Sequence, residues 1–459
     1  MGAPARMDGE RLDPRVRRTG AAERIVRTER AVRTLHATGE HAVSPQTNTP
    51  TAGPVATLST ILEAFPVDAD KGITTEKELL NHLLQAAAVE MQTIPMYLYA
   101  MFSMSGRGNS RWDPGIGALR LVRSIVVEEM LHLCMVRNII VALGHGDKVK
   151  FYEENFVPAY PEYMLHRHPP LLLHLGKCDT EIVRTVFMEF ERPTAPKDEG
   201  KPPKGQYSTI GLFYKSIMKG LDHLEKVEKK KLWGKNKRDL QYMGAYWNKD
   251  GGGEPFVVED LKTAQQALKM IVDQGEGVDP KKPSVPIDPL NPKPGLDELP
   301  HYTKFQRIAE GIEPIGPVWL VDTDPMSLDY VGDDAATSIN DLFNAAYCYV
   351  LHMIDVLYAT SAKDIAPGAK SKRYGLERTF MAAMQGVLAS IAETMVAHTL
   401  TPNGVKGDLQ IAPTFEYVEL PATGKKQHLI NLCNEAVHHF PRLGGDNSTL
   451  WLLNRMPDI

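Results

Sequence analysis

Two neighbouring helical segments carry carboxylates on the face that their apolar residues also occupy. In "TEKELLNHLLQAAAVEMQTIPMYLYAMFSM" the apolar residues recur at helical spacing around Glu90. In "GALRLVRSIVVEEMLHLCMVRNIIVALG" they recur in the same way around Glu129. Buried carboxylates are costly unless they are paired or bound to a metal. The pattern therefore predicts a helical fold in which both acids face a common interior with a partner.

An imidazole accompanies the second acid. His132 follows Glu129 by three residues, so the two side chains lie on one helix face a turn apart. A Glu from one helix and Glu-x-x-His from the next form half of a carboxylate-bridged dimetal site in a four-helix bundle. Carboxylates suit hard iron or manganese ions, and imidazole adds a neutral donor. We therefore expect Glu90, Glu129 and His132 to bind a metal and to act in catalysis through it. The adjacent Glu128 is more typical of a supporting or surface carboxylate.

The second half of such a site is less regular in this sequence. Glu276 ends a helical segment in "DQGEG", and His301 opens the next one after a proline-rich linker. A bundle of the usual kind carries both residues on one helix, three positions apart. By spacing alone, Glu276 is a helix-end acid and His301 is a cap residue, and only folding can bring them together.

The rest of the chain is also helical in pattern. No strand-like alternation persists and no internal repeat is present, so the sequence predicts an all-α protein with additional C-terminal helices and a Pro-rich linker. At this length we expect more than one packed unit. The predicted regions are a disordered Arg-rich tail (1–56), a metal-binding bundle with insertions (57–330), and a C-terminal helical region packed on the bundle (331–459).

Composition excludes several classes of function. The net charge of -5 over 459 residues, without a recurring basic face, argues against nucleic acid as a partner. No uninterrupted apolar run approaches the roughly 18 residues that span a bilayer, so we expect no membrane span. The four cysteines lack paired spacing and are typical of buried thiols in a reducing compartment, which predicts a cytoplasmic protein.

Several motifs in order along the chain carry a family resemblance. They are "LQAAAVEMQTIPMYLYAMFSM", "EEMLHLCMVRNIIVALG", "FMEFERP", "TIGLFYKSI", "QALKMIVDQGEG", "HYTKFQRI" and "LQIAPTFEYVEL". Together they resemble the ferritin-like proteins related to iminophenylpyruvate dimer synthase, found in the violacein and rebeccamycin pigment pathways. The resemblance implies a ferritin-like four-helix bundle with non-haem iron held near Glu90, Glu129, His132, Glu276 and His301. For the best-known members it also implies oxidative coupling of two imines made from an aromatic amino acid.

One position departs from the family pattern that we expect. In "TIGLFY" an acidic residue is expected where Leu212 stands, on the helix that usually supplies a third carboxylate. Leu212 therefore leaves open whether the site holds one iron or two. Glu191 or Glu189, in "FMEFERP", is the candidate substitute ligand.

The sequence supports one leading function and several alternatives. The leading hypothesis is an iron-dependent oxidase or oxygenase of specialised metabolism, acting with O2 on a small amine, imine or amino-acid-derived substrate. The alternatives are iron storage or detoxification, a metal-free helical scaffold, and a haem enzyme with His352 or His398 as an axial ligand. The substrate, the product, the role of the tail and the oligomeric state stay open, and a homodimer is one option.

Overall fold

The structure is a computed structural model that describes residues 64–105, 116–165, 167–195, 199–234, 237–243, 253–276, 299–362 and 372–459. The described residues belong to one compact unit, Ser59–Ile459, and most of them are helical. This confirms the all-α prediction. The predicted tail (1–56) and nearly all of the Pro-rich linker lie outside the described residues. The proposed boundary near residue 330 stays a prediction.

Two long helices that pack along each other form the first half of the bundle. They are α1 (Glu76–Ser103) and α2 (Ile116–Ala142). A capping box starts α1, because the Thr75 side chain accepts the Glu78 N–H and the Glu78 carboxylate accepts the Thr75 N–H. Gly144 follows the last turn of α2 with a positive φ of 87°, a conformation that glycine adopts without strain.

The second half of the bundle consists of α5 (Ile210–Asp222) and α6 (Leu261–Gly275). Helix α5 packs on α6 and on α1, and α6 also packs on α2, so the four helices enclose one core. Thr209 caps α5 and Asp260 caps α6, each by accepting a backbone N–H three residues later. These caps fix where the two helices begin.

Shorter helical pieces close the end of the bundle where the polar residues lie. A continuous segment contains α3 (Thr180–Ile182), a π-helical turn (Val183–Phe187) and α4 (Met188–Glu191). Helix α7 (His301–Ala309) packs on this segment and on α2. A π-helical turn inserts one extra residue into a helix and is frequent at functional sites. Here it immediately precedes the helix that ends at Glu191.

The C-terminal part adds further helices. They are α8 (Asp334–Ala359), α9 (Lys372–Met381), a π-helical segment (Ala382–Leu388), α10 (Ala389–Val396), α11 (Lys425–Val437) and α12 (Thr449–Arg455). Helix α10 contacts α1, and α8 packs on α11 and on the π-helical segment. Helices α11 and α12 are not among the helical segments that the apolar periodicity predicts.

The remaining regular structure is short. A π-helical turn (His223–Val227) extends α5, and 3-10 turns lie at Gly146–Lys148, Arg238–Leu240, Ser327–Tyr330, Pro402–Gly404 and Pro441–Leu443. Strands β1 (Glu162–Tyr163) and β2 (Leu172–Leu173) pair antiparallel, with Glu162 opposite Leu173.

Two helical stretches are long and apolar enough to cross a membrane, judged by length and composition alone. They are Asp334–Ala359 and Arg373–Val396, and 72% and 50% of their most apolar windows are buried inside the structure. Within the first, the Asp355 carboxylate accepts the backbone N–H groups of Phe151 and Tyr152. Core helices of soluble proteins pass the same test, so this is weak evidence for a membrane span. The sequence expectation concerned uninterrupted apolar runs, which polar residues such as Asp355 break.

Candidate metal centre

The core of the bundle contains two groups of potential metal ligands that share one residue. The first group is Glu90, Glu129 and His132, and the second is Glu129, Glu191 and His301. Within each group the potential ligand atoms lie within 4.8 Å of one another. All five residues are buried, with at most 2% of the surface of each residue exposed. Five of the six predicted ligands are thus brought together, and their binding of a metal stays a prediction.

Glu129 lies between the two histidines. Its Oε2 atom is 3.8 Å from His132 Nδ1, and its Oε1 atom is 2.8 Å from His301 Nδ1. The other carboxylates lie on either side, with Glu90 Oε2 3.5 Å from His132 Nδ1 and Glu191 Oε1 3.4 Å from His301 Nδ1. A carboxylate with one oxygen directed at each half of a site has the arrangement of a bridging ligand.

The two imidazoles are oriented by contacts at their other nitrogens. His132 Nε2 lies 3.0 Å from Gln274 Oε1 on α6, and His301 Nε2 lies 2.9 Å from Glu128 Oε2. Glu128 also accepts a hydrogen bond from the buried Lys304 ammonium at 2.5 Å. Metal-binding histidines commonly donate their second N–H to such a partner, which fixes the tautomer and leaves the first nitrogen for the metal. Glu128 therefore supports a candidate ligand, as the sequence favoured.

Hydroxyl groups hold the three carboxylates. The Thr93 hydroxyl lies 2.9 Å from Glu129 Oε2, and the Tyr97 hydroxyl donates to Glu191 Oε1 at 2.8 Å. The Tyr214 hydroxyl donates to Glu90 Oε1. Periodicity alone favours a core role for Tyr97 and Tyr214, since an aromatic at helical spacing carries no signal that its hydroxyl meets an acid.

Burial and neighbouring charges shift the pKa values of the acids and the histidine in the site. Burial and the charge of Glu129 raise the pKa of Glu90 to about 8, and burial also raises the pKa of Glu191. Burial alone would lower the pKa of His132, but the adjacent Glu129 and Glu90 raise it to about 10. Burial and mutual repulsion thus disfavour ionisation of Glu90 and Glu191, and a bound cation would favour it.

Glu276 is placed beside the centre and belongs to neither ligand group. It caps the C-terminus of α6 and lines a small cavity together with Glu90, Glu129 and His132. Its Oε1 atom lies 3.3 Å from the Lys215 ammonium. Its buried Oε2 has no hydrogen-bond partner among the described residues. Gly211 makes room for it, because a Cβ atom at position 211 would come within 1.4 Å of Glu276 Oε1.

The position that departs from the family pattern does not face the site. The Leu212 side chain is 47% exposed, whereas the cavity is lined from α5 by Ile210, Gly211 and Tyr214. Position 212 therefore faces away from the candidate ligands. Glu191, at the end of α4, places a carboxylate in the second candidate group, and its role as a ligand stays a prediction.

The haem alternative gains no support from the described C-terminal histidines. His398 Nδ1 lies 2.7 Å from the Thr394 carbonyl oxygen, and its ring packs against Phe440. His352 packs edge to face on Tyr152. Both side chains therefore take part in packing contacts within the described structure.

Comparisons with known proteins show what this chain is similar to. The family model described as Ferritin-like matches residues 83–310, a range that includes every candidate ligand. Dichlorochromopyrrolate synthase of Lentzea aerocolonigenes is 24% identical over a 420-residue alignment that covers 79% of this chain. The chain matches 38% of that protein's length. A crystal structure of a ferritin-like protein from Caulobacter vibrioides is 22% identical, with a TM-score of 0.42, and covers 68% of this chain and 96% of that one. Residues 83–310 of this chain are a ferritin-like domain.

Proposed function

We propose that this protein is a non-haem iron-dependent oxidase or oxygenase of specialised metabolism that uses O2 on a small amine, imine or amino-acid-derived substrate. The observation that supports it best is the position of Glu129, with one carboxylate oxygen directed at each histidine. This arrangement suits two iron ions bridged by one carboxylate. The similarity to a biosynthetic enzyme supports the class of function and leaves the substrate to experiment.

The chemistry of the donor set fits iron. Three carboxylates and two imidazoles are hard to intermediate ligands, which suit ferrous and ferric ions. His301 Nδ1 lies 2.8 Å from Glu129 and 3.4 Å from Glu191, yet it makes no hydrogen bond of acceptable geometry to either acid. His301 Nδ1 and the two carboxylates therefore surround a space in which a bound cation would contact all three groups.

Bound iron would be the redox group through which electrons pass from the substrate to O2. The protein's own residues fix the positions of the donors: Thr93 contacts Glu129, Tyr97 contacts Glu191, and Glu128 orients His301. The burial of these groups excludes bulk water from the centre. Water exclusion and fixed donors are the contributions that a protein makes to cofactor chemistry.

A small cavity lies beside the centre. Phe190, Ile210, Ile271 and Val272 form much of its apolar wall. Glu276 provides its unpartnered oxygen at the same place. A carboxylate in this position can complete the metal site or accept the N–H of an amine, which supports a nitrogen-containing substrate.

The first experiment is metal analysis of protein reconstituted with ferrous iron without oxygen. We expect one to two irons per chain and an absorption change when O2 is added. Such a result justifies a substrate screen that begins with imines of aromatic amino acids. Failure to bind iron would overturn the proposal and favour the metal-free scaffold.

We also infer a cytoplasmic protein, either a monomer or a homodimer. The four cysteines are free and buried, as expected in a reducing compartment. Fractionation of the producing cells, with the protein followed by antibody, tests the location. Recovery in the membrane fraction after a salt wash would contradict it.

A further inference from the structure

A second, larger cavity lies between helices α1, α2 and α8 and the π-helical segment Ala382–Leu388. Its interior volume is about 130 Å³, and the cavity opens to the surface. An apolar cavity of about 150 Å³ can hold a benzene molecule. The interior is therefore large enough for one aromatic ring, and the mouth leaves room for the rest of a larger ligand.

This cavity is separate from the metal centre. Met91 and Met130 line it, and they directly follow the candidate ligands Glu90 and Glu129 in sequence. Consecutive residues of an α-helix project about 100° apart around the axis. The cavity and the candidate ligands consequently occupy different faces of α1 and α2, so a ligand in the cavity would not replace a metal ligand.

The lining indicates the chemistry of the occupant. All of the lining residues are described, and none of them carries a formal charge at neutral pH. Methionines from four elements contribute to it: Met91, Met130, Met381 and Met384. Flexible thioethers adapt to irregular shapes and make favourable contacts with aromatic rings. A charged group would be desolvated here without a counter-charge, so the wall favours a neutral aromatic molecule.

One polar group of the wall lacks a partner. Tyr347 is 3% exposed, and its hydroxyl makes no hydrogen bond to any described residue. By contrast, the Tyr358 hydroxyl in the same wall donates to the Cys134 carbonyl oxygen at 3.2 Å. Buried hydroxyls in native proteins are nearly always hydrogen-bonded. The Tyr347 hydroxyl is therefore the group that a bound molecule can satisfy.

We propose that this cavity is a binding site for a neutral, mainly aromatic small molecule that has one polar group hydrogen-bonded to Tyr347. The site is independent of the iron centre and of the proposed oxidation. Binding should therefore be the same in iron-loaded and metal-free protein.

Fluorescence titration with N-phenyl-1-naphthylamine tests this proposal. This neutral dye has an aromatic body and a single N–H, and we expect saturable binding of one molecule per chain. Tyr347→Phe should weaken binding roughly three- to tenfold, since it removes one hydrogen bond. Met384→Trp and Met381→Trp, which fill the cavity from half-buried positions, should each weaken binding at least about tenfold. Leu328→Trp adds the same bulk at an exposed site and should change nothing.

A matched ligand tests the charge requirement. The anionic dye 8-anilinonaphthalene-1-sulfonate has the same ring skeleton with an added sulfonate, and it should bind at least about tenfold more weakly. Absence of saturable binding of the neutral dye to the wild-type chain would overturn the site. Unchanged binding in both tryptophan variants would place the dye elsewhere and also overturn it. Equal affinity of Tyr347→Phe would overturn the hydrogen bond, and equal affinity of the two dyes would overturn the preference for a neutral ligand.

Discussion

Glu129 is the residue on which both halves of the candidate centre depend. Its two oxygens face His132 and His301 separately, so its loss should disturb both metal positions. We predict that Glu129→Ala abolishes turnover and removes nearly all bound iron. Glu191→Ala, which affects one group only, should retain part of the iron. Metal analysis after anaerobic reconstitution measures the difference.

An exposed acid on the same helical segment as Glu191 provides the control. Glu181→Ala should bind as much iron as the wild-type protein, because Glu181 lies on the surface at the start of that segment. Full iron and full turnover in Glu129→Ala would remove this residue from the ligand set. Equal iron loss in both Glu129→Ala and Glu191→Ala would contradict the bridging role while leaving both residues as ligands.

The buried pair of Glu128 and Lys304 should contribute to the stability of the fold. The two groups are 2.5 Å apart, and both side chains are almost fully buried. Removing one partner of a buried pair leaves an uncompensated charge and costs about 3–5 kcal/mol. We predict a loss of this size in the free energy of unfolding for Glu128→Gln in metal-free protein, measured by denaturant unfolding.

A double variant isolates the uncompensated charge as the cause. Glu128→Gln combined with Lys304→Met removes both charges, so it should recover a substantial part of the lost stability. If the double variant is as unstable as the sum of the two single variants, the pair does not couple. The loss would then come from changes in packing.

At the level of elements, the sequence predicts what depends on local periodicity. Helices α1 and α2 follow from their apolar spacing, and so does the inward direction of Glu90, Glu129 and His132. Glu191 and His301 lie at helix ends, and 110 positions separate them in sequence. Their approach to Glu129 results from the packing of α7 on α2 and on the segment that ends at Glu191, which periodicity does not encode.

The expectation of a ligand at position 212 fails for the same physical reason. Whether a residue of α5 faces the cavity depends on the rotation of that helix against α1 and α6. The helix presents Gly211 and Tyr214 to the cavity and Leu212 to the solvent. The amphipathic pattern alone predicts the helix. Adjacent residues of a helix point about 100° apart, so an error of one position assigns the wrong residue to the centre.

Glu276, at the end of α6, is a predicted iron ligand that contacts α5. Two variants at this contact test that role. Both Gly211→Ala and Glu276→Gln should lower iron occupancy without unfolding the protein. In Gly211→Ala the added Cβ would displace the flexible Glu276 carboxylate, whose atoms lie 1.4–2.4 Å from the Cβ position. Metal analysis and circular dichroism of the two variants check this outcome.

A helical glycine with open space around it controls for the change from glycine to alanine. Gly375→Ala on α9 meets no atom within 4 Å, so it should leave iron binding unchanged. Full iron occupancy in Glu276→Gln would exclude Glu276 as a ligand. It would then remain available to bind a substrate amine.

For the whole molecule, metal binding should be coupled to stability. The candidate ligands come from α1, α2, α4 and α7, so they converge only in the folded chain. A ligand present at a hundred times its Kd stabilises a protein by about 2.7 kcal/mol if it binds the folded state alone. We predict a higher Tm for iron-loaded than for metal-free protein, measured by anaerobic calorimetry. Glu129→Ala should show no such gain, and an equal gain in that variant would mean that iron stabilises the protein from another site.

The oligomeric state separates the proposed enzyme from an iron-storage cage. In this chain α10 packs on α1, so its own C-terminal helices cover part of the bundle surface that another subunit would need in a cage wall. Light scattering should therefore give a mass near 51.0 kDa, or twice that value for a homodimer. The iron-loaded protein should have the same mass as the metal-free protein. A particle many times heavier, with far more than two irons per chain, would contradict the oxidase proposal and favour storage.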